Sequence, residues 1–119
     1  MTTTAAIPQQ GDDDPNDAHN LMPASLAARI PTLYATEGQR DEAIAHVKLF
    51  TPDANWTWYV VEYNPSEQLC YGLAVGLETE RGYFSLDELR HTRGPMGLRI
   101  ERDLWWRPMP LREVLAGKR

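Results

Sequence analysis

Residues 69–77 read LCYGLAVGL, a strict alternation of large and small side chains. Leu69, Tyr71, Leu73, Val75 and Leu77 fall on one parity, and Cys70, Gly72, Ala74 and Gly76 fall on the other. A period of two predicts a β-strand with one bulky face and one nearly bare face. Glycine inside a strand costs chain entropy and leaves nothing to pack, so two on one face mark close approach by another element. The expected occupant is a helix or the rings of Trp56 and Trp58. A ligand or a partner's segment is the alternative.

The neighbouring segments extend this strand into a meander. Asn55 to Tyr63 is rich in Trp, Tyr and Val, the strand-favouring types. Trp56, Trp58, Val60 and Glu62 are expected on one of its faces, with Thr57, Tyr59, Val61 and Tyr63 on the other. Asn64-Pro65-Ser66-Glu67 forms a turn into the 69–77 strand. Ile44 to Phe50 sets Ala45, Val47 and Leu49 against His46, Lys48 and Phe50. Thr51-Pro52-Asp53-Ala54 then has proline where a type I turn favours it. Tyr83-Phe84 reads as the start of another strand or an edge, and Leu98 to Trp106 reads as extended. Pro23 with Leu26 and Ile30 predicts a helix over 23–30, closed by Pro31. Leu33 and Tyr34 are expected to anchor the following connection to the core. Ser85 with Glu88 is a capping-box signature for a helix over 86–91. Pro110 opens a last helix over 110–116. The fold class is therefore α+β: an antiparallel β-meander sheet of about four strands with three short helices.

The chain has 119 residues, one domain's worth, and 42% of them are apolar. Residues 1–20 are polar, carry Asp12, Asp13, Asp14 and Asp17 without a base, and are expected to be a disordered acidic tail. Residues 21–119 are expected to form a single α+β domain. Most of the net charge of −5 belongs to the tail, since residues 21–119 hold 13 acids and 12 bases. Their signs separate: residues 37–80 carry a net −6 and residues 81–119 a net +4. Such a division can orient a partner, or it can cancel where the two halves pack together. No apolar run approaches a membrane span, and the N-terminus has no secretory pattern, so a soluble, cytoplasmic protein with no membrane partner is expected.

No phosphate-binding loop, dinucleotide fingerprint, zinc-protease helix or nucleophile elbow is present. The single cysteine, Cys70, reads as a small residue on the bare strand face rather than a nucleophile. No cofactor and no metal site are expected. The catalytic candidates are His46, Glu62 and Asp103, a histidine and carboxylates on strands expected to be adjacent, with Lys48 and Glu101 beside them. Such a group can do acid–base work or bind a metal, or it is a solvated sheet face with cross-strand ion pairs. The binding candidates are Arg93, Arg99, Arg102, Trp105 and Arg107. Arginine interleaved with tryptophan suits a protein hot spot or stacked nucleic acid. Adjacent strand residues face opposite sides, so at most one of Trp105 and Trp106 is expected to be exposed. Near-neutral charge and an acidic middle argue against general DNA binding.

The runs HVKLFTPDANWTWYVVEY (46–63), CYGLAVGLETERGYFSLDEL (70–89) and GLRIERDLWWRPMPL (97–111) resemble a family of short, uncharacterised bacterial proteins known as a domain of unknown function. Members of that family occur on plasmids, integrative elements and phage-related regions. The resemblance implies no catalytic residues. It implies a role in mobile-element biology, such as evading host defence. The function expected is that of a non-enzymatic interaction protein of a mobile genetic element, acting on a host-defence or element-maintenance complex. The rivals are a nucleic-acid-binding module built on residues 93–107 and a small metal-dependent hydrolase or nuclease. The oligomeric state and the partner's identity are not legible in these residues.

Overall fold

A computed structural model describes residues 14–118 of the chain. In order along the chain lie α1 (Ala24–Ala27), β1 (Ile44–Ala45), β2 (Val47–Phe50), β3 (Thr57–Asn64), β4 (Leu69–Val75) and β5 (Thr79–Ser85). After them come α2 (Leu86–Arg90), β6 (Glu101–Arg102), β7 (Met109–Pro110) and α3 (Leu111–Glu113). The fold is α+β, with three short helices and antiparallel pairing throughout. The main sheet has five strands in the order β5-β4-β3-β2-β6, and β1 pairs with β7 in a separate two-stranded ladder. About four strands were expected. The strand expected to start at Tyr83-Phe84 begins instead at Thr79, in residues that were expected to be a short loop; they give no apolar alternation but continue the hairpin from β4 through Gly76 N–H to Glu78 O.

Two strands depart from simple alternation, and both departures matter for the sites. A register shift between Val60 and Glu62 places a β-bulge in β3. The inserted residue transfers Glu62 to the face of Tyr71 and returns Tyr63 to the face of Val60 and Cys70. Glu62 therefore does not share a face with Trp58 and Val60, as unbroken parity required. The segment 44–50 is also broken, at His46, whose N–H reaches Val60 O at 2.8 Å. Ala45 packs in one core while Val47 and Leu49 pack in the other. The late strand is much shorter than Leu98 to Trp106, because only Glu101 and Arg102 pair with Phe50 and Leu49.

Both faces of the sheet are covered. On one, Val47, Leu49, Val60, Tyr63 and Cys70 meet Leu21, Met22, Ile30, Leu86, Leu89 and Ile100. On the other, Tyr59, Val61 and Leu73 meet Ala43, Ala45, Leu111 and Val114. Each such aliphatic or aromatic side chain contributes about 1.5–3 kcal/mol when fully buried. The glycines in and just after β4 are explained by this packing. A Cβ on Gly76 would enter the ring of Trp56, and one on Gly72 would strike the backbone carbonyl of Tyr59. The expected tryptophan ring thus occupies the Gly76 end only. Ser85 caps α2 by accepting Glu88 N–H at 3.1 Å, which stops fraying of this short helix.

The stretch expected to be an acidic tail divides. Residues 1–13 lie outside the described residues, whereas residues 14–20 form turns against β6. Ala18 O accepts Arg102 N–H at 2.7 Å. No helix among the described residues is long and apolar enough to cross a membrane.

Candidate functional site

Glu62 sits at the centre of the first candidate site because the β3 bulge turns it toward the chain that precedes β1. It is 3% exposed, and its carboxylate organises that chain. One oxygen accepts Tyr34 N–H at 2.7 Å; the other accepts Thr36 N–H at 2.9 Å and the Thr36 hydroxyl. Tyr34 is held at φ 72°, in the left-handed region that non-glycine residues rarely occupy. Gly38 and Arg40 follow at φ 90° and 52°, so the loop coils tightly over the sheet. Strain of this kind persists only where surrounding contacts over-determine it, and Glu62 supplies those contacts here.

The loop's curl puts Tyr34 at the surface, 63% exposed, rather than in the core where sequence reasoning set it. Its ring meets that of Tyr83 at 6.4 Å and 60°. Tyr83 in turn meets Tyr71 at 5.0 Å and 57°. These rings and Glu62 line a cleft of about 710 Å³ rimmed by Glu37, Arg40, Asp41, Glu42 and Arg81. The Tyr83 phenol is pushed above its ordinary pKa, first by desolvation, then by its hydrogen bond and charge coupling with Tyr34, the negative field of Glu62 and Tyr71. Across the rim Arg81 pairs with Asp41, and Arg112 with Glu42 at 3.0 Å.

The second candidate site lies at the end of β6. Asp103 N–H bonds Lys48 O at 2.9 Å, and the Asp103 carboxylate accepts Trp105 N–H at 2.9 Å. This side-chain-closed turn ends the strand and sends the two tryptophans in opposite directions. Trp106 turns inward, donating its indole N–H to Ala45 O at 3.0 Å and packing on Tyr59 at 5.4 Å. Trp105 turns outward and is 91% exposed. With Leu104, Trp56, Phe50 and Lys48 it lines a cleft of about 530 Å³. Trp56 is braced against Trp58 by stacking at 6.1 Å and 23°.

The five expected binding residues do not form one surface. Arg102 is buried, donating to Asn20 O and Pro15 O at 2.8 Å and to Asp17 O at 3.4 Å. Burial lowers its pKa, opposed by the charges of Asp17 and Asp14. It is an internal clamp on the N-terminal segment. Arg99 is exposed and bonds His19 Nδ1 at 2.9 Å. Arg93 is also exposed, with a long 3.4 Å bond to Gly97 O. Their loop is shaped by Asp53, which accepts Met96 N–H at 2.8 Å. Trp105 is exposed on the turn and Arg107 on the connection between that turn and β7.

The three expected catalytic residues are likewise not brought together. Glu62 lines the tyrosine cleft, Asp103 lines the tryptophan cleft, and His46 lines neither. Asp103 lies 3.7 Å from Lys48. Burial lowers the His46 pKa. Among the described residues, no group of three or more His, Cys, Asp and Glu is placed to hold a metal ion. Cys70 is buried, and desolvation pushes its thiol up to about 12. Sequence reasoning missed Tyr34, Tyr71 and Tyr83. Tyr71 was legible only as part of a bulky strand face, and nothing local joins it to Tyr34.

A family model described as a protein of unknown function (DUF2958) matches residues 21–113. No curated protein and no solved structure matches the chain.

Proposed function

The chain belongs to the DUF2958 family, and from that premise we propose that it is a non-enzymatic interaction protein whose contact surface is centred on Trp105. The observation that carries this reading is an indole 91% exposed on a turn closed by its own chain. A large aromatic held rigid in water loses little conformational freedom on binding and gains much by desolvation, which is why tryptophan dominates interface hot spots. Leu104 and Trp56, 42% and 43% exposed, extend the apolar area around it. Asp103 and Lys48 supply a polar border, the arrangement of an apolar centre within a charged rim. The partner we propose is a protein of a host-defence or element-maintenance complex, in keeping with the mobile-element setting implied by the sequence resemblance.

Affinity capture from a bacterial lysate tests this with the full chain, a Trp105→Ala variant and a Leu115→Ala control. A stoichiometric protein partner is expected with the parent and the control. Trp105→Ala is expected to weaken its binding about thirtyfold, the effect of removing a hot-spot residue worth roughly 2 kcal/mol. Absence of a stoichiometric partner, or capture indifferent to Trp105→Ala, sinks the reading. Capture that disappears with nuclease or falls steeply with salt transfers the function to nucleic acid.

A further inference from the structure

The cleft under the 34–42 loop is lined by Glu62, whose carboxylate makes no ion pair among the described residues. Every donor to Glu62 among the described residues is uncharged: two backbone N–H groups and one hydroxyl. Buried charges are ordinarily paired, because desolvation otherwise costs far more than neutral hydrogen bonds return. The rim does not supply the missing partner, since Arg81 is engaged by Asp41 and no ion pair among the described residues joins Arg40 to Glu62. In the same cleft stand aromatic rings left in water, with Tyr34 63% and Tyr83 50% exposed. An aromatic face attracts cations through its quadrupole.

We propose that this cleft binds an alkylammonium group, with Tyr34, Tyr71 and Tyr83 as its walls and Glu62 as the counter-charge. Tyr83 is the middle wall, and the outer rings incline from it by 60° and 57°. An ammonium on an alkyl chain meets both demands of the site: its charge answers Glu62, and its carbons cover the rings. A neutral ligand leaves the carboxylate unanswered, and an anion is repelled by it. The volume of about 710 Å³ accommodates the head group together with its chain. The same chemistry is carried by a free choline-like amine and by a lysine side chain of another protein. The cleft shares no lining residue with that of Trp105, so the two sites stand or fall separately.

The test is titration of the full chain, followed by tyrosine ring chemical shifts and by calorimetry. The probes are choline, its neutral isostere 3,3-dimethylbutan-1-ol, and the peptides acetyl-Gly-Lys-Gly-amide and acetyl-Gly-norleucine-Gly-amide. Saturable shifts of the three tyrosines are expected with the cations, and binding at least about tenfold weaker with the neutral counterparts. Tighter binding of the lysine peptide than of choline assigns the source to a partner protein; the reverse assigns it to a free amine. Tyr34→Ala and Tyr83→Ala are each expected to weaken cation binding about threefold to thirtyfold with the amide spectrum retained. Tyr34, on the loop, serves if the β5 variant does not fold. Neutral probes binding as tightly as the cations, or no saturable shift with either cation, overturns the proposal.

Discussion

Gly72 and Gly82 are paired across β4 and β5 but stand in different surroundings. A Cβ on Gly72 would strike the Tyr59 carbonyl, which is backbone and cannot swing aside, whereas Gly82 has nothing within 4 Å of that position. Gly72→Ala is therefore expected to destabilise the protein by about 3 kcal/mol, the upper end of overpacking costs. Gly82→Ala is expected to stabilise it by about 0.4–1 kcal/mol, by restricting the unfolded chain. Urea denaturation of both variants checks this, and equal midpoints contradict it. The alternation in LCYGLAVGL made a close approach legible at Gly72 and Gly76. It did not show what approaches, because a strand's own periodicity is blind to its neighbour's carbonyls. Glu62 illustrates the same limit: parity predicted its face, and one inserted residue reversed it.

β1 and β2 were legible as one strand and exist as two, separated at His46. The break lets Ala45 serve one core and Val47 the other, a division that a single sheet face does not allow. It also leaves the His46 ring half-buried, with a pKa lowered by desolvation. The folded state thus takes up a proton less readily than the unfolded chain. Stability from this group is complete above the unfolded value, near 6.5, and declines as the pH falls below it. Urea midpoints compared at pH 7.5 and 5.5 are expected to fall less in His46→Gln than in the parent. The difference is limited to about 1.4 kcal/mol for each pH unit; parallel declines would refute the assignment. The turn after β6 shows what was recoverable at this level. Strand parity allowed at most one exposed tryptophan, and a turn closed by Asp103 exposes Trp105 by another route.

The acidic and basic halves of the chain meet in the folded protein and partly cancel. Asp41 pairs with Arg81, Glu42 with Arg112, and Lys48 with Asp103. Arg102 extends this to the N-terminal segment, reaching Asn20 O across 82 positions of sequence. Arg102→Ala is expected to cost about 2–3 kcal/mol, as for hydrogen bonds made by a charged donor. It should also speed amide exchange and proteolysis within residues 14–20, and unchanged protection there would show that another contact holds the segment. The strands, turns and the capped helix were readable because they rest on contacts two to four residues apart, which repeat regularly and leave a pattern in the order of side chains. The bulge, the buried Arg102 and the gathering of Tyr34, Tyr71, Tyr83 and Glu62 in one cleft were not. They arise where segments far apart in the chain compete for the same space and hydrogen bonds, and that competition is resolved only when the sheet closes on both its cores.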